Sequence, residues 1–440
     1  MNPALTYEEA IAYISSRERF GSKLGLEQIG KLLARLGDPQ KAMQYVHVAG
    51  TNGKGSTTSM IAGALCAAGY RTGMYISPSV ESFAERIQIN MEPISDDALA
   101  AAVTEVKAAA EQMEADGDGV VTEFEVVMAA AFLAYKEAGC EIAVLETGLG
   151  GRLDATNIID RPRVAVIVSV SFDHVGVLGD TLTQITREKC GIIKDGCPVV
   201  SYVEQQDEVL AVLRDHCSTV GSQLVIPAIE RFAVTELGLD GTKFVYDGEE
   251  YFTRMTGVHF AKNALSAIEA LRLLAAQGLE ISQEAIKAGV AGKPMTARME
   301  KINDKPCILL DGAHNPDGVA KLCETIDTLL AGKRIITVMG MFADKDYEKC
   351  IPEIARRSDV FIATTPPSPR ALPAKETFAL ANGKAKLTCI AQNPRMAFIT
   401  ARRFAKDDDV ILCCGSLSFL GGCKKTLEFV NRAIARYGII

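Results

Sequence analysis

No segment of this 440-residue chain is built from a few repeated residue types, and no apolar run approaches the length that crosses a bilayer. The first absence argues against a disordered or fibrous chain and the second against a membrane-spanning one. An excess of basic charge is also missing. The formal net charge is −8, with acidic and basic residues interspersed, which argues against an electrostatic nucleic-acid binder and against a polybasic membrane patch. The first residues, MNPALTYEEAIAYISSRERF, are amphipathic and mixed in charge and lack the apolar core of a signal peptide. CxxC pairs are absent as well. The twelve cysteines are scattered, and Cys66, Cys140, Cys307 and Cys413 sit inside apolar segments. That reads as small reduced thiols in a cytoplasmic protein, not as a zinc site or a disulfide framework.

What the chain does contain is the composition of a soluble globular protein at a length too great for one ordinary core. Two domains are expected, over 1–294 and 295–440, because GKPMTARME at 292–300 has little pattern and reads as a linker. Near-continuous apolar runs alternate with helical patterns. VHVAG, RTGMYIS, EIAVLE, VAVIVSVS and CPVVSYV in the first half read as strands of a parallel sheet covered on both faces. CILLD, RIITVMG, DVFIATT and DVILCCG restart the alternation in the second. Ser95 can cap a helix that stops at DGDG, and Thr122 with Glu125 forms a capping box. Asp247-Gly248, between two β-rich arms, predicts a hairpin, taken as a small antiparallel addition to the first domain. The fold class is therefore α/β, with ligands expected beyond the carboxyl ends of the strands and in a cleft between the domains.

The sharpest chemical signal is VHVAGTNGKGSTT at 46–58. A short apolar strand runs into a turn in which Gly50, Gly53 and Gly55 lack β-carbons, so backbone N–H groups can face a polyphosphate. Lys54 would neutralise the outer phosphates, Ser56 or Thr57 could hold Mg²⁺, and the helical run after them offers an anion-favouring N-terminus. The glycine between lysine and hydroxyl departs from the usual G-x-x-x-x-G-K-[ST] spacing. Glu146 ends EIAVLE, where a carboxylate could coordinate Mg²⁺. The glycines that follow lack the spacing of a dinucleotide fingerprint, and that reading is rejected. Arg152 and Asp154 are open to two readings, surface charge or substrate contact. Asp173 and His174 end a buried strand and suit metal or phosphate. Glu188-Lys189 lies on a predicted helix, where such a pair is normally solvated. In the second half Asp311, His314, the 344–346 loop, Arg370 and Ser416 fall at successive strand ends.

Taken in order along nearly the whole chain, LLARLGDPQ, GTNGKGS, SPSVESFAERIQIN, TEFE, ETGLGGRLDATN, the DH-to-EKCGIIK block, HFAKNA, LDGAHNP, GMFADKD and CGSLSFLG resemble the folylpolyglutamate synthase/dihydrofolate synthase family of the Mur-ligase superfamily. The resemblance implies a P-loop ATPase domain with a mainly parallel sheet and a small antiparallel sheet, followed by a Rossmann-like domain that closes over ATP and glutamate. It implies an ATP-dependent ligase joining L-glutamate to dihydropteroate or a reduced folate through an acyl phosphate. It assigns ATP contacts to Gly50, Thr51, Asn52, Gly53, Lys54, Gly55, Ser56, Thr57, Asn263, Arg298, Asp311 and His314. Catalysis falls to Lys54, Lys189, His174 and Arg298, with Lys189 carbamylated. Mg²⁺, expected as two ions, falls to Ser56, Ser77, Glu146 and His174. Substrate binding falls to Phe124, Arg152, Asp154 and Ser416, with Phe124 and Asp154 near the pterin-containing substrate. Two departures, Ser79-Val80 where the family often has histidine and an aliphatic, and Met128 where it often has threonine, flank the expected pterin pocket. A monomer without nucleic-acid or membrane partners is expected. The alternatives are another Mur-type amino-acid ligase or a P-loop regulatory ATPase.

Overall fold

A computed structural model describes residues 4–21 and 25–437. The chain divides into two compact units. The first runs to Phe232 and takes in Tyr246–Tyr251 and Lys262–Gly292; the second comprises Ala233–Val245, Phe252–Ala261 and the chain from Lys293 onward.

The first unit is built on an eight-stranded sheet of β1 (Gln44–Ala49), β2 (Thr72–Tyr75), β3 (Ile87–Ile89), β4 (Glu92–Pro93), β5 (Ile142–Glu146), β6 (Val164–Ile167), β7 (Val199–Ser201) and β8 (Leu224–Val225). Its order is β4-β3-β2-β5-β1-β6-β7-β8. The strands from β2 to β8 run parallel, and β3 and β4 extend the edge in antiparallel fashion. β1 is central, with β5 on one side and β6 on the other. The carboxyl ends of those three strands are therefore neighbours, which is where a doubly wound sheet leaves a crevice.

Helices cover both faces, which explains why the central strands are mostly apolar. Asp96–Ala115 is capped by Ser95, whose hydroxyl accepts from Ala98 N at 3.2 Å. Thr122 and Glu125 close a reciprocal capping box at the start of Glu123–Glu137. That helix packs Phe132 and Tyr135 into the core that holds Tyr45 and Tyr75. All twelve cysteines are free, and nine of them are buried.

The hairpin forms as expected. Asp247 and Gly248 both adopt positive φ, 54° and 82°, between β10 (Gly241–Tyr246) and β11 (Glu249–Thr253), with β9 (Phe232–Gly238) completing the sheet. Most of β9 and β10 belongs to the second unit, not to the first. A turn signal is local and carries no information about which core its strands join. The second unit's main sheet has β12 (Glu300–Asp304), β13 (Cys307–Asp311), β14 (Ile335–Met339), β15 (Val360–Ala363), β16 (Leu387–Ile390) and β17 (Val410–Cys414) in the order β12-β13-β17-β14-β15-β16. Only β12 runs antiparallel.

The helix after the glycine-rich turn, Lys54–Ala67, is pressed against Gln283–Ala291 at a glycine pair. A β-carbon on Gly289 would lie 2.4 Å from Ala64 N and 2.5 Å from Met60 O, and one on Gly63 would lie 3.3 Å from Gly289 Cα. Backbone cannot yield there as a side chain would. Gly289→Ala is therefore expected to destabilise the protein by about 1–3 kcal/mol, the usual cost of overpacking, read as a lower urea midpoint. An unchanged midpoint would show that the helices can part.

Candidate active site

β1 ends at Ala49 and must turn before the helix at Lys54 begins. Gly50 makes the turn possible, because a β-carbon there would stand 2.2 Å from Val168 Cγ2, just beyond β6. The turn is tied to that strand end by hydrogen bonds. Thr51 N and Asn52 N donate to Ser169 O at 2.7 and 3.4 Å. Thr51 Oγ1 donates to Ser171 O and accepts from Ser171 N, both at 3.0 Å. Gln205, which the sequence did not single out, braces the same segment by accepting from Val170 N at 3.1 Å and donating to Val168 O at 2.9 Å. Gly53, at φ 91°, sits beneath the Asn263 amide; a β-carbon would fall 2.6 Å from its Oδ1. Asn263 thus stands over the turn.

Lys54 Nζ donates to Thr51 O at 3.1 Å and lies 4.0 Å from Glu146 Oε1. Glu146, buried at the end of β5, accepts from Ser77 N at 3.1 Å. The hydroxyls of Ser56 and Thr57, in the first turn of the helix, are buried without a hydrogen-bond partner in the protein. Such orphans cost free energy unless a ligand completes them. With Glu146 beside Lys54 they suit a hard divalent cation, which prefers oxygen donors.

Lys189 corrects the reading from charge pattern alone. Helix Leu182–Cys190 starts at a Thr181–Gln184 capping box, and its two adjacent charges part ways. Glu188 pairs with exposed Arg152 at 2.9 Å. Lys189 is only 3% exposed, and its Nζ donates to Gly50 O at 2.8 Å. Burial, reinforced by the charge of Lys54, pushes the Lys189 ammonium down to about 7, against the pull of Asp173 and Asp154. His174 adopts φ 52°, donates its backbone N–H to Asp173 Oδ1 at 2.8 Å and keeps its ring 39% exposed. Among the described residues no three His, Cys, Asp or Glu side chains form a metal cluster, so the metal reading leans on serine and threonine hydroxyls.

Arg152 and Asp154 face different environments. Arg152 is a surface partner of Glu188, whereas Asp154 is buried and organises its own loop. Asp154 Oδ2 accepts from Leu149 N at 2.7 Å, and Oδ1 accepts from Thr156 N at 3.0 Å and Thr156 Oγ1 at 2.5 Å. Burial pushes its carboxyl up, and these donors pull it back. Phe124 lies over Gly148, whose β-carbon would meet the ring at 2.6 Å, and sets its edge against Tyr75 at a centroid distance of 6.0 Å. Of the departures, Met128 is fully buried in the helix core. The Ser79-Val80 segment leads into a turn in which Val80, Glu81 and Ser82 N–H groups all converge on Glu85.

In the second unit Asp311 ends β13 and accepts from Met299 N at 3.0 Å and Ala313 N at 2.9 Å. Burial pushes its carboxyl up, opposed by those donors and by Arg298. Gly312 lets Arg298 and Leu417 approach, since a β-carbon would meet Arg298 Nη1 at 2.6 Å and Leu417 Cδ2 at 2.4 Å. His314 Nδ1 lies 2.8 Å from Gly312 O, and Ser416 follows neighbouring β17 with its hydroxyl 2.9 Å from Ser418 Oγ. Asp344 and Arg370 form an ion pair.

Known proteins resemble this chain along most of its length. The Mur ligase middle domain family matches residues 48–271, and the Mur ligase, glutamate ligase domain family matches 297–417. The chain is 34% identical over 438 residues to a dihydrofolate synthase/folylpolyglutamate synthase of Bacillus subtilis, covering 96% of this chain and 99% of the relative. It is 36% identical over 434 residues to a folylpolyglutamate synthase of Lacticaseibacillus casei, covering 96% and 99%. Among solved structures, E. coli FolC in complex with DHPP and ADP superposes with a TM-score of 0.86 at 28% identity, covering 97% of this chain and 99% of that one. A bifunctional folylpolyglutamate synthase/dihydrofolate synthase with Mn, AMPPNP and L-glutamate bound gives 0.82 at 28% identity, covering 97% and 100%.

Gly53→Ala combines left-handed backbone strain of roughly 1–2 kcal/mol with a collision at Asn263. Isothermal titration with ATP is expected to show at least about tenfold weaker binding, with the circular dichroism spectrum unchanged. Wild-type affinity would mean the turn does not need its observed shape.

Proposed function

Since the chain belongs to the folylpolyglutamate synthase/dihydrofolate synthase family of Mur ligases, we propose that the residues gathered around Gly50 activate a pteroyl-type carboxylate for attack by L-glutamate. The reaction is an ATP-dependent amide ligation. An oxygen of the acceptor carboxylate attacks the γ-phosphorus of ATP, the bond to the ADP oxygen breaks, and an acyl phosphate results. The glutamate amine then attacks the acyl carbon, phosphate leaves and the amine loses a proton. Positioning and charge neutralisation are the protein's main tasks in such a transfer.

One observation carries this reading: a lysine buried against the carbonyl of the phosphate-binding turn, with a neighbouring lysine, in a chain otherwise assembled as a P-loop domain. Lys54 supplies the positive charge that the γ-phosphate needs. Mg²⁺, held by Ser56 with Ser77, Glu146 and His174 as further donors, would add Lewis-acid charge to the phosphates when bound. Lys189 has the protonation behaviour that carbamylation requires. An ordinary lysine is almost wholly protonated at neutral pH, whereas about half of a group titrating near 7 is free amine. That amine adds to CO₂ and loses one proton, giving a carbamate anion beside Lys54. In the second unit Arg298, Asp311 and His314 are assigned to ATP and Ser416 to substrate binding. Phe124 and Asp154 frame the pterin, with Arg152 at the rim.

The assay that tests this combines purified protein, ATP, Mg²⁺ and labelled glutamate with dihydropteroate or tetrahydrofolate offered separately. Phosphate release should require both glutamate and a pterin acceptor; release with neither would point to a regulatory ATPase. For Lys189, Lys189→Ala should lose at least about a hundredfold in turnover and recover part of it with added acetate or formate. Lys189→Arg, which cannot be carbamylated, should stay inactive. Full activity of the arginine variant would end the carbamate assignment.

A further inference from the structure

His47 is a fully buried histidine in the middle of β1, and the chemistry above gives it no task. Strand alternation puts it on the same face as Tyr45. Its Nε2 lies 2.8 Å from Thr156 Oγ1, and that hydroxyl lies 2.5 Å from Asp154 Oδ1. Three polar side chains thus form one chain from the sheet core to the loop assigned to the acceptor.

The chain has a definite polarity. An ionised carboxylate can only accept, so the single hydroxyl proton of Thr156 goes to Asp154. The hydroxyl oxygen must then accept, which requires the proton of His47 on Nε2 and leaves Nδ1 bare. In the opposite order, with the proton on Asp154 and Thr156 donating to Nε2, the ring proton moves to Nδ1. Nδ1 is buried and has no partner. An orphaned N–H is rarer in folded proteins than an under-used acceptor, so the first order prevails. The ring stays neutral in either case, because burial, aided by Lys194, pushes it down to about 3.

The outcome at Asp154 is specific. Oδ1 is filled by the amide and hydroxyl of Thr156, and Oδ2 takes the N–H of Leu149 and faces that of Gly148, so the carboxylate is held at both oxygens. A pterin ring carries adjacent N–H donors on its pyrimidine edge, which a fixed carboxylate oxygen can receive. We propose that His47 is a positioning residue for acceptor recognition: acting through Thr156, it holds Asp154 as an oriented, proton-free acceptor for the N–H edge of the pterin. This rests on the assignment of Asp154 to the pterin.

The test compares wild type, His47→Leu and His47→Gln, whose amide N–H can reach the place of Nε2. It reads the KM for the pteroyl acceptor, the KM for ATP, kcat and the melting temperature. His47→Leu should raise the acceptor KM about tenfold, the scale of one hydrogen bond to a charged group, with ATP KM and kcat within about twofold; His47→Gln should recover most of the loss. An acceptor KM equal to wild type, a parallel rise in ATP KM, or glutamine no better than leucine would overturn the proposal. Should His47→Leu fail to fold, Thr156→Val against Thr156→Ser decides it: a higher acceptor KM in valine alone supports the relay, and equal values overturn it. Failure of the underlying assignment is read separately, because Asp154→Asn would then leave the acceptor KM at the wild-type value.

Discussion

The carbonyl of Gly50 is where the first unit is held together chemically. Three independent parts of the chain meet at this residue: the end of β1, the end of β6 through Val168 at its α-carbon, and the helix that delivers Lys189 to its carbonyl. The approach of Val168 requires the missing β-carbon, and the hydrogen bond from Lys189 requires the carbonyl to face the helix Leu182–Cys190. Once that peptide is fixed, the following N–H groups are set by Ser169 O, the Thr51 hydroxyl by Ser171, and Lys54 falls opposite Glu146. Gln205 then stiffens the β6 end from behind, so the shape of the turn is over-determined. A turn held this way can keep strained glycine conformations without paying for rearrangement when a polyanion arrives.

How much of this could be read from sequence follows from the range over which each signal acts. The turn itself, the strand VHVAG before it and the capping residues Ser95, Thr122 and Glu125 are local features, and the structure has them where the residues put them. The central strands were legible because burial on both faces makes them mostly apolar. Strands β3, β4, β8, β12 and β16 were not, since each is short and lies at or next to a sheet edge, where burial is partial and composition mixed.

The site residues divide by the same physics. Adjacent charges look equivalent in a sequence, yet Glu188 and Lys189 face solvent and core respectively, and Arg152 and Asp154 do the same across a turn. Which of a pair turns inward is decided by what waits there, a carbonyl for Lys189 and a set of N–H groups for Asp154, and both are tertiary. His47 and Gln205 gave no signal because one histidine in a strand and one glutamine after another carry no pattern. Family resemblance recovered Lys189 only by matching a whole block, not by explaining its burial.

The buried titratable groups follow one rule with two outcomes. His47 and Lys189 are cations by type, and both are shifted toward neutrality by burial and by a nearby lysine, Lys194 for one and Lys54 for the other. Asp154 is an anion by type, and it is surrounded by donors that favour its charge. The low-dielectric interior therefore works against charge of either sign, and at Asp154 the donors offset part of the burial that pushes its carboxyl up. Lys54, at the mouth of the turn, has Glu146 4.0 Å away, whereas Lys189, deeper and against a carbonyl, has among the described residues no carboxylate within hydrogen-bond distance to offset its burial.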